Sequence, residues 1–128
     1  MKRVIIIIGA SLVFIFICAV GLIMFSINHG VKERINIAQE KYQGTAEDAL
    51  IAYLLDTTNS PRDRTDVAIW TLGQIQSQKA LPILKELYNS DPEGKTCRHD
   101  SILCQYGIYK AIRAIESNWW PLHPELNK

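Results

Sequence analysis

The sequence has 128 residues, with 14 basic and 13 acidic side chains and a formal net charge of +1. This balance excludes a strongly basic nucleic-acid-binding chain, which needs a concentrated cationic surface. Three cysteines in this length exclude a small fold built mainly on disulfide bonds.

The N-terminal region is dominated by one apolar run. Val4 to Ile27 is 24 residues without a charged side chain, and about 20 apolar residues suffice for a helix to cross the hydrocarbon core of a bilayer. We therefore predict a transmembrane helix over residues 4–27, in contact with membrane lipid, after a short tail of residues 1–3.

A cleaved signal peptide is the alternative, because Lys2 and Arg3 precede the apolar run as a signal's basic region does. The run is longer than a typical signal core, and its small residues Ala19 and Gly21 are embedded in apolar sequence, so an uncleaved anchor is favoured. A lipoprotein site at Cys18 is disfavoured because large residues, Phe16 and Ile17, precede it.

Basic residues flank the run on both sides, so the positive-inside rule leaves the orientation open. They are Lys2 and Arg3 before it, and Lys32, Arg34 and Lys41 after it. The basic tail directly beside the apolar run resembles a signal anchor. On that basis we expect residues 1–3 in the cytoplasm, a single span in the plasma (inner) membrane, and the remaining domain on the extracytoplasmic side.

Residues 28–44 are predicted to form a juxtamembrane stalk. The apolar run ends at Asn28, His29 and Gly30, and His29 is interpreted as an interfacial residue rather than a ligand. Val31 to Gln43 is compatible with a helix, and a narrow apolar stripe on it would pack on the domain or on another copy of the chain. The stripe consists of Ile35, Ala38 and Tyr42.

Local signals then place three helices. Thr45 is a good N-cap with Asp48 three residues later, which predicts a helix over about residues 46–56. Pro61 suits the first position of a second helix, over about residues 61–76. A third is predicted over residues 80–88, with Pro82 in its first turn.

The last two helices form a predicted hairpin, Arg64 to Tyr88, and their apolar arcs differ. At 100° per residue the apolar side chains of residues 61–76 cover about 200°, which indicates a helix covered on more than one side. Trp70 extends this arc and is a candidate partner-binding residue. Residues 80–88 show one apolar arc and one polar arc, which is typical of a half-exposed helix.

The helical pattern repeats along the chain. The segment at Leu72 to Ile75 is echoed 40 residues later at Ile112 to Ile115, and the helix containing Leu50 and Leu54 is echoed 33 residues later. The chain thus contains one complete helical pair with a half unit on each side.

With this repetition, residues 45–117 resemble HEAT repeats, including the HEAT-like repeats of the bilin-lyase-related group. The residues that carry the resemblance are Arg64, Asp66-Val67-Ala68, Leu72-Gly73-Gln74-Ile75, Ala80, Ile83-Leu84 and Leu87. The resemblance implies an all-α, short right-handed α-solenoid of HEAT-like hairpins after one transmembrane helix, used for binding protein. Bilin-lyase chemistry is not carried over. Arg64 and Asp66 are interpreted as polar contacts within the stack.

The stretch from Asn89 to Asp100 is longer than a tight turn between repeats requires. Cys97 lies in it, whereas Cys104 joins the apolar arc of the following helix. Cys104 is therefore either a small buried hydrophobic residue or one half of a disulfide with Cys97. The bond requires Cys97 to lie outside the helix, because seven helical residues span about 10.5 Å and bonded cysteines need Cα atoms within about 7 Å.

The residue types Cys97, His99, Cys104 and His123 also permit a zinc set. Their spacings do not recur in structural zinc sites, so we predict no metal and no cofactor. The sequence contains no glycine-rich phosphate loop, nucleophile elbow or paired carboxylates predicted to share a cleft. We accordingly expect a protein that is not an enzyme and assign no catalytic residue.

Residues 118–128 form a predicted C-terminal capping tail with two tryptophans, Trp119 and Trp120. The tail either covers the exposed side of the last helix or presents the tryptophans as anchors for a partner.

The function expected from these features is a membrane-anchored interaction or scaffold module in a cell-envelope complex, with another membrane or envelope protein as partner and no nucleic acid. Two alternatives stay open. One is an accessory or metal-handling protein that uses the Cys97 to Cys104 insertion, and the other is a purely structural subunit of a membrane complex.

Overall fold

The structure is a computed structural model that describes residues 2–90, 97 and 102–117, and every regular element within those residues is helical. The chain divides into two compact units, Met1–Gly30 and Val31–Lys128. Each unit is described separately below.

The first unit consists of the apolar part of helix α1 (Lys2–Lys41). Most of its large apolar side chains from Ile6 onward are exposed, including Phe14, Phe16 and Phe25. Among the residues that the structure describes, α1 is the one helix that is long and apolar enough to cross a membrane, and its apolar stretch is not buried against other parts of the protein.

The second unit begins with the last residues of α1, which the sequence predicts as a stalk. Val31, Ile35 and Ala38 are buried in this unit. The ring of Tyr42, just after α1, meets Tyr53 edge to face with 5.9 Å between centroids. The apolar stripe therefore packs within the second unit. Gly44 follows with a φ of +132°, a backbone conformation that favours glycine.

Helix α2 (Ala46–Leu55) starts where the capping signal predicts. The Thr45 hydroxyl accepts a hydrogen bond from the Asp48 N–H at 3.2 Å. At the other end, Arg64 Nε donates to the Leu54 carbonyl oxygen at 2.6 Å, so Arg64 forms a polar contact between neighbouring helices.

Residues 61–74 form a central helix of three consecutive segments, where the sequence predicts one regular helix. These are α3 (Pro61–Asp63), a π-helical segment (Arg64–Ile69) and α4 (Trp70–Gln74). Ser60 caps the start and Pro61 occupies the first turn.

The central helix ends in a Schellman arrangement. Gln76 adopts a φ of +52°, and its N–H donates to Gly73 O while the Ser77 N–H donates to Leu72 O. The Gln76 side chain then donates to Ala114 O at 3.1 Å and Gln78 donates to Ile115 O at 3.3 Å. This turn is thereby tied to the last helix.

Helices α5 (Leu81–Leu87) and α6 (Gln105–Ser117) complete the described fold. The central helix packs against both α2 and α6, and α5 packs on α6. Leu84 is the fully buried residue of α5, so the central helix is covered on two sides and α5 is half exposed, in agreement with their predicted apolar arcs.

Candidate functional site

A close approach between the central helix and α6 forms the floor of a surface cavity. A Cβ atom placed on Gly73 would lie only 3.0 Å from Ala111 Cα and 3.1 Å from Ala111 Cβ. A Cβ at position 73 would therefore require the backbone at Ala111 to move by a few tenths of an ångström. The glycine of the predicted repeat motif therefore serves this contact.

The cavity has a volume of about 230 Å³. Its lining combines small residues at the floor with an aromatic ring, an amide and both signs of charge. The described lining residues are Thr65, Asp66, Trp70, Gly73, Gln74, Cys97, Gly107, Lys110, Ala111 and Ala114.

The π-helical segment contributes one wall of this cavity. The Thr65 hydroxyl donates to the Pro61 carbonyl oxygen at 2.8 Å, and the Trp70 N–H donates to the Thr65 carbonyl oxygen five residues earlier. Such wide turns are rare in proteins overall, and those that do occur are often found at functional sites. Here the wide turn is followed directly by Trp70, on the same wall as Asp66.

Trp70 is half-buried and is held in place by the last part of α1. The Arg34 guanidinium lies 4.5 Å from the centre of its ring, and Arg34 Nε donates to the Asp66 carbonyl oxygen at 2.9 Å. A cation stacked on an aromatic ring contributes about 0.5–1 kcal/mol at exposed sites and about 2 kcal/mol when desolvated, and the half-buried Trp70 lies between these cases. The candidate partner-binding residue is thus fixed in orientation at the cavity.

The two charged lining residues, Asp66 and Lys110, make weak contacts at the surface. The carboxylate of Asp66 lies 3.7 Å from Arg62 Nε, with both side chains more than half exposed. The Lys110 ammonium lies 4.7 Å from the centre of the Tyr106 ring. An exposed ion pair contributes about 0–1 kcal/mol and an exposed cation–π contact about 0.5–1 kcal/mol, so neither contact fixes its side chain firmly.

An aromatic surface continues from the cavity along α6. Tyr106 stacks on Tyr109 with centroids 6.5 Å apart, and Tyr109 lies 6.2 Å from the Tyr88 ring beyond α5. Tyr109 is 39 % exposed. Tyrosine and tryptophan are enriched among the residues that dominate binding energy at interfaces.

A disulfide joins Cys97 to Cys104, with Cα atoms 4.9 Å apart. Cys104 is 2 % exposed, so it is both a buried residue and a bonded one. It precedes α6, where its N–H donates to the Thr65 hydroxyl at 3.3 Å and its sulfur accepts the Gly107 N–H at 3.1 Å. Cys97 lines the cavity.

Several candidates from the sequence fall elsewhere. Trp119, Trp120, His99 and His123 lie outside the described residues. Within the described ranges no group of three or more histidine, cysteine or acidic residues could hold a metal ion. Cys18 is a free, exposed cysteine on α1.

No sequence signal predicts that Asp66, Gln74 and Lys110 share a cavity. The pattern at Leu72 to Ile75 that recurs 40 residues later is consistent with two neighbouring helices of a stack. Only the packing of the central helix on α6 shows which polar side chains meet there. Two glycines are local signs of a close approach: Gly73 of the Leu72 to Ile75 segment, and Gly107 of α6, where an added Cβ would lie 3.2 Å from Thr65 Cγ2.

No protein-family model matches this chain, and neither a curated protein nor a solved structure shows significant similarity to it. The resemblance to HEAT repeats therefore rests on the residues quoted above.

Proposed function

We propose that this chain is a single-pass membrane protein whose second unit binds another protein in an envelope complex. In this proposal α1 is the anchor, the Lys2 and Arg3 end is cytoplasmic, and the second unit is extracytoplasmic. The Cys97–Cys104 disulfide supports this orientation, because disulfides persist in oxidising compartments and are rare in the cytosol.

A reporter that is active only outside the cytoplasm, fused after Lys128, tests the orientation. An active fusion is expected, and the same reporter fused before Met1 should be silent. The reverse pattern would overturn the proposed orientation.

We further propose that the second unit is a short HEAT-like stack with a non-catalytic binding role. Its support is the arrangement of the central helix between α2 and α6, together with the repeated pattern of the sequence. Stacks of helical pairs bind partners on surfaces that the stacking leaves open.

The observation that carries the binding proposal is the cavity beside Trp70. The cavity places the oriented Trp70 ring beside two charged side chains, Asp66 and Lys110, whose present contacts are weak. The tyrosine surface of α6 adjoins it in the same region of the second unit. A partner side chain of ordinary size fits a 230 Å³ cavity, and flanking tyrosines supply contact area around it.

Site-specific photo-cross-linking in intact membranes tests this surface. A photoreactive phenylalanine at Gln74, on the cavity wall, should give a discrete adduct with one protein, whereas the same group at Glu86, exposed on α5, should not. Trp70→Ala should remove the adduct at position 74. Lys85→Ala, an exposed change on α5, should leave it in place.

Equal cross-linking from positions 74 and 86, or an adduct that survives Trp70→Ala, would count against binding at the cavity. Far-ultraviolet circular dichroism of each variant would show that the fold is retained.

A further inference from the structure

We propose that the Cys97–Cys104 disulfide is a directional site of thiol–disulfide exchange, at which an incoming thiolate attacks Cys97 and Cys104 is the leaving group. The reactant class is a protein dithiol, with a low-molecular-weight thiol as a simpler substitute. This inference does not depend on whether the cavity also binds a protein.

The two bonded cysteines differ sharply in solvent exposure. Cys104 is 2 % exposed and lies between the central helix and α6, whereas Cys97 is only half-buried. The rate and outcome of exchange depend on which sulfur the thiolate can reach. The difference in burial directs attack to Cys97.

The surface cavity gives the attacking group a place beside Cys97. Cys97 belongs to its lining, and the floor below it is built from small residues, Gly73, Gly107 and Ala111. A cysteine side chain from another molecule therefore has room to approach Cys97 without displacing a large side chain of the floor.

The surroundings of Cys104 suit a leaving thiolate. Its sulfur accepts the Gly107 N–H at 3.1 Å, and it stands immediately before α6, a helix of 13 residues. A buried charge requires hydrogen bonds, and a helix N-terminus favours a thiolate over a thiol. The backbone N–H of Gly107 already points at the atom on which the charge would develop.

The exchange is balanced in two steps. First, the thiolate forms a bond to Cys97 Sγ, the bond between the two protein sulfurs breaks, and its electron pair passes to Cys104 Sγ. Second, the other thiolate of the dithiol attacks its own partner sulfur in the mixed disulfide and releases Cys97 as a thiolate. The protein disulfide is reduced by two electrons, the dithiol is oxidised to a disulfide, and the two protons released by the dithiol are available to the two cysteines.

The test uses the full chain carrying Cys18→Ser, purified in detergent micelles with its disulfide formed. The chain is exposed briefly to reduced glutathione, free thiols are blocked with N-ethylmaleimide, and the peptides are mapped by mass spectrometry. We expect glutathione on Cys97 and N-ethylmaleimide on Cys104 to exceed the opposite pattern by about tenfold or more, because a buried sulfur is attacked slowly.

The same reaction in concentrated urea is the control, since unfolding exposes both sulfurs and should abolish the preference. Three results would overturn the proposal: glutathione mainly on Cys104, an equal distribution in the folded chain, or reduction that occurs only after unfolding. Two free thiols in the chain purified without reductant would remove its premise and would overturn it as well.

Discussion

Two buried threonines of the central helix differ in what their hydroxyl groups bond. Thr65 donates to Pro61 O and accepts the Cys104 N–H. Thr71 is fully buried, and its hydroxyl oxygen has no hydrogen-bond partner among the described residues. A buried polar group without a partner costs about 1–3 kcal/mol.

We predict that Thr71→Val raises the free energy of unfolding by up to about 1 kcal/mol, because it replaces an unpaired buried hydroxyl with a methyl group of similar size. Thr65→Val should instead lower it by about 1–3 kcal/mol, because the Cys104 N–H would lose its acceptor. Urea denaturation of both variants in the full chain checks the pair. Equal destabilisation by the two changes would contradict the assigned hydrogen bonds.

Gly73 and Trp70 show how single residues set the shape of the site. The absence of a Cβ at Gly73 allows the floor to close against Ala111, and the stacking of Arg34 fixes the ring of Trp70 above it. The two effects are independent in origin, since one is steric and the other electrostatic. Gly73 thus sets the distance between the helices at the floor of the cavity, and Arg34 sets the orientation of the Trp70 ring in its lining.

At the scale of elements, side chains from outside α2, α5 and α6 bond to carbonyl groups in the last turns of these helices, where the regular backbone ladder runs out. At Ala114 O in α6 the Ser117 hydroxyl donates as well, at 3.2 Å. The donors from outside are Arg64 for α2, Gln105 for α5, and Gln76 with Gln78 for α6. Because each of these donors lies outside the helix whose carbonyl group it bonds, the hydrogen bonds connect each helix end to a neighbouring helix or turn.

Arg64→Met tests this arrangement, since methionine keeps the apolar stem but cannot donate to the Leu54 carbonyl oxygen. A hydrogen bond from a charged donor contributes about 1.5–3 kcal/mol, and we expect a loss of that size in the free energy of unfolding. Arg62→Met is the matched control, because its exposed ion pair with Asp66 contributes about 0–1 kcal/mol. If the two variants proved equally stable, Arg64 would not be an important cap of α2.

A second connection between elements is sensitive to pH. The pKa of the Asp56 carboxyl is held well below its ordinary value of 3.8, mainly by the hydrogen bond from the Tyr42 hydroxyl and to a smaller extent by those from Thr58. Lys41 adds an ion pair at 3.6 Å. These contacts join the segment after α1 to the turn between α2 and α3.

Because the pKa of Asp56 is lower in the folded chain, its stabilising effect is complete above the unfolded value of about 3.8 and is lost as the pH falls towards the folded value. We predict that Asp56→Asn lowers the melting temperature at pH 7 and that the difference from the parent chain narrows below pH 4. Tyr42→Phe should act in the same direction, since it removes the main cause of the shift. Melting temperatures measured across this pH range check both variants.

Glu86→Gln, at an exposed acid of α5, controls for the change in charge alone. A difference between Asp56→Asn and the parent chain that stayed constant from pH 7 to pH 2 would show that Asp56 does not act through its ionised form.

For the whole molecule, the sequence predicts well those features that depend on local signals, such as the places where helices begin. The apolar run gives the long helix, Thr45 and Pro61 mark the starts of α2 and α3, and Pro82 marks the first turn of α5. The predicted starts of α2, α3 and α5 lie close to those in the structure because caps and prolines act within a few residues. The apolar run does not define the end of α1, which continues from the predicted span through the predicted stalk to Lys41.

The features that depend on packing were not predictable in the same way. The π-helical segment interrupts a stretch whose apolar spacing is that of an ordinary helix. The stacking of Arg34 on Trp70 and the grouping of Asp66 with Lys110 join residues far apart in the sequence. Apolar spacing defines which face of a helix is buried, but it does not define which polar side chains meet at the rim.

The boundary of the second unit is also a property of the whole molecule. The sequence predicts a domain beginning at residue 45, whereas the compact unit begins at Val31. We predict that a chain of residues 31–128 folds cooperatively and that a chain of residues 45–128 is less stable by several kcal/mol. Burial of a side chain such as Val31 or Ile35 contributes about 1.5–3 kcal/mol, against a total stability of about 5–15 kcal/mol for a typical domain.

Urea denaturation of the two fragments, followed by circular dichroism, measures this difference directly. Substitutions in the full chain separate the loss of packing from the effect of truncation: Ile35→Ala should be strongly destabilising, whereas Ile37→Ala, at a side chain that is 39 % exposed, should change stability little. Because Val31, Ile35 and Ala38 occupy the core and Arg34 supports Trp70, a fragment that begins at residue 45 should lose both stability and the orientation of the candidate binding residue. Equal midpoints for the two fragments would mean that residues 31–44 act only as a connection to the membrane helix, and Trp70 would then be oriented by the central helix alone.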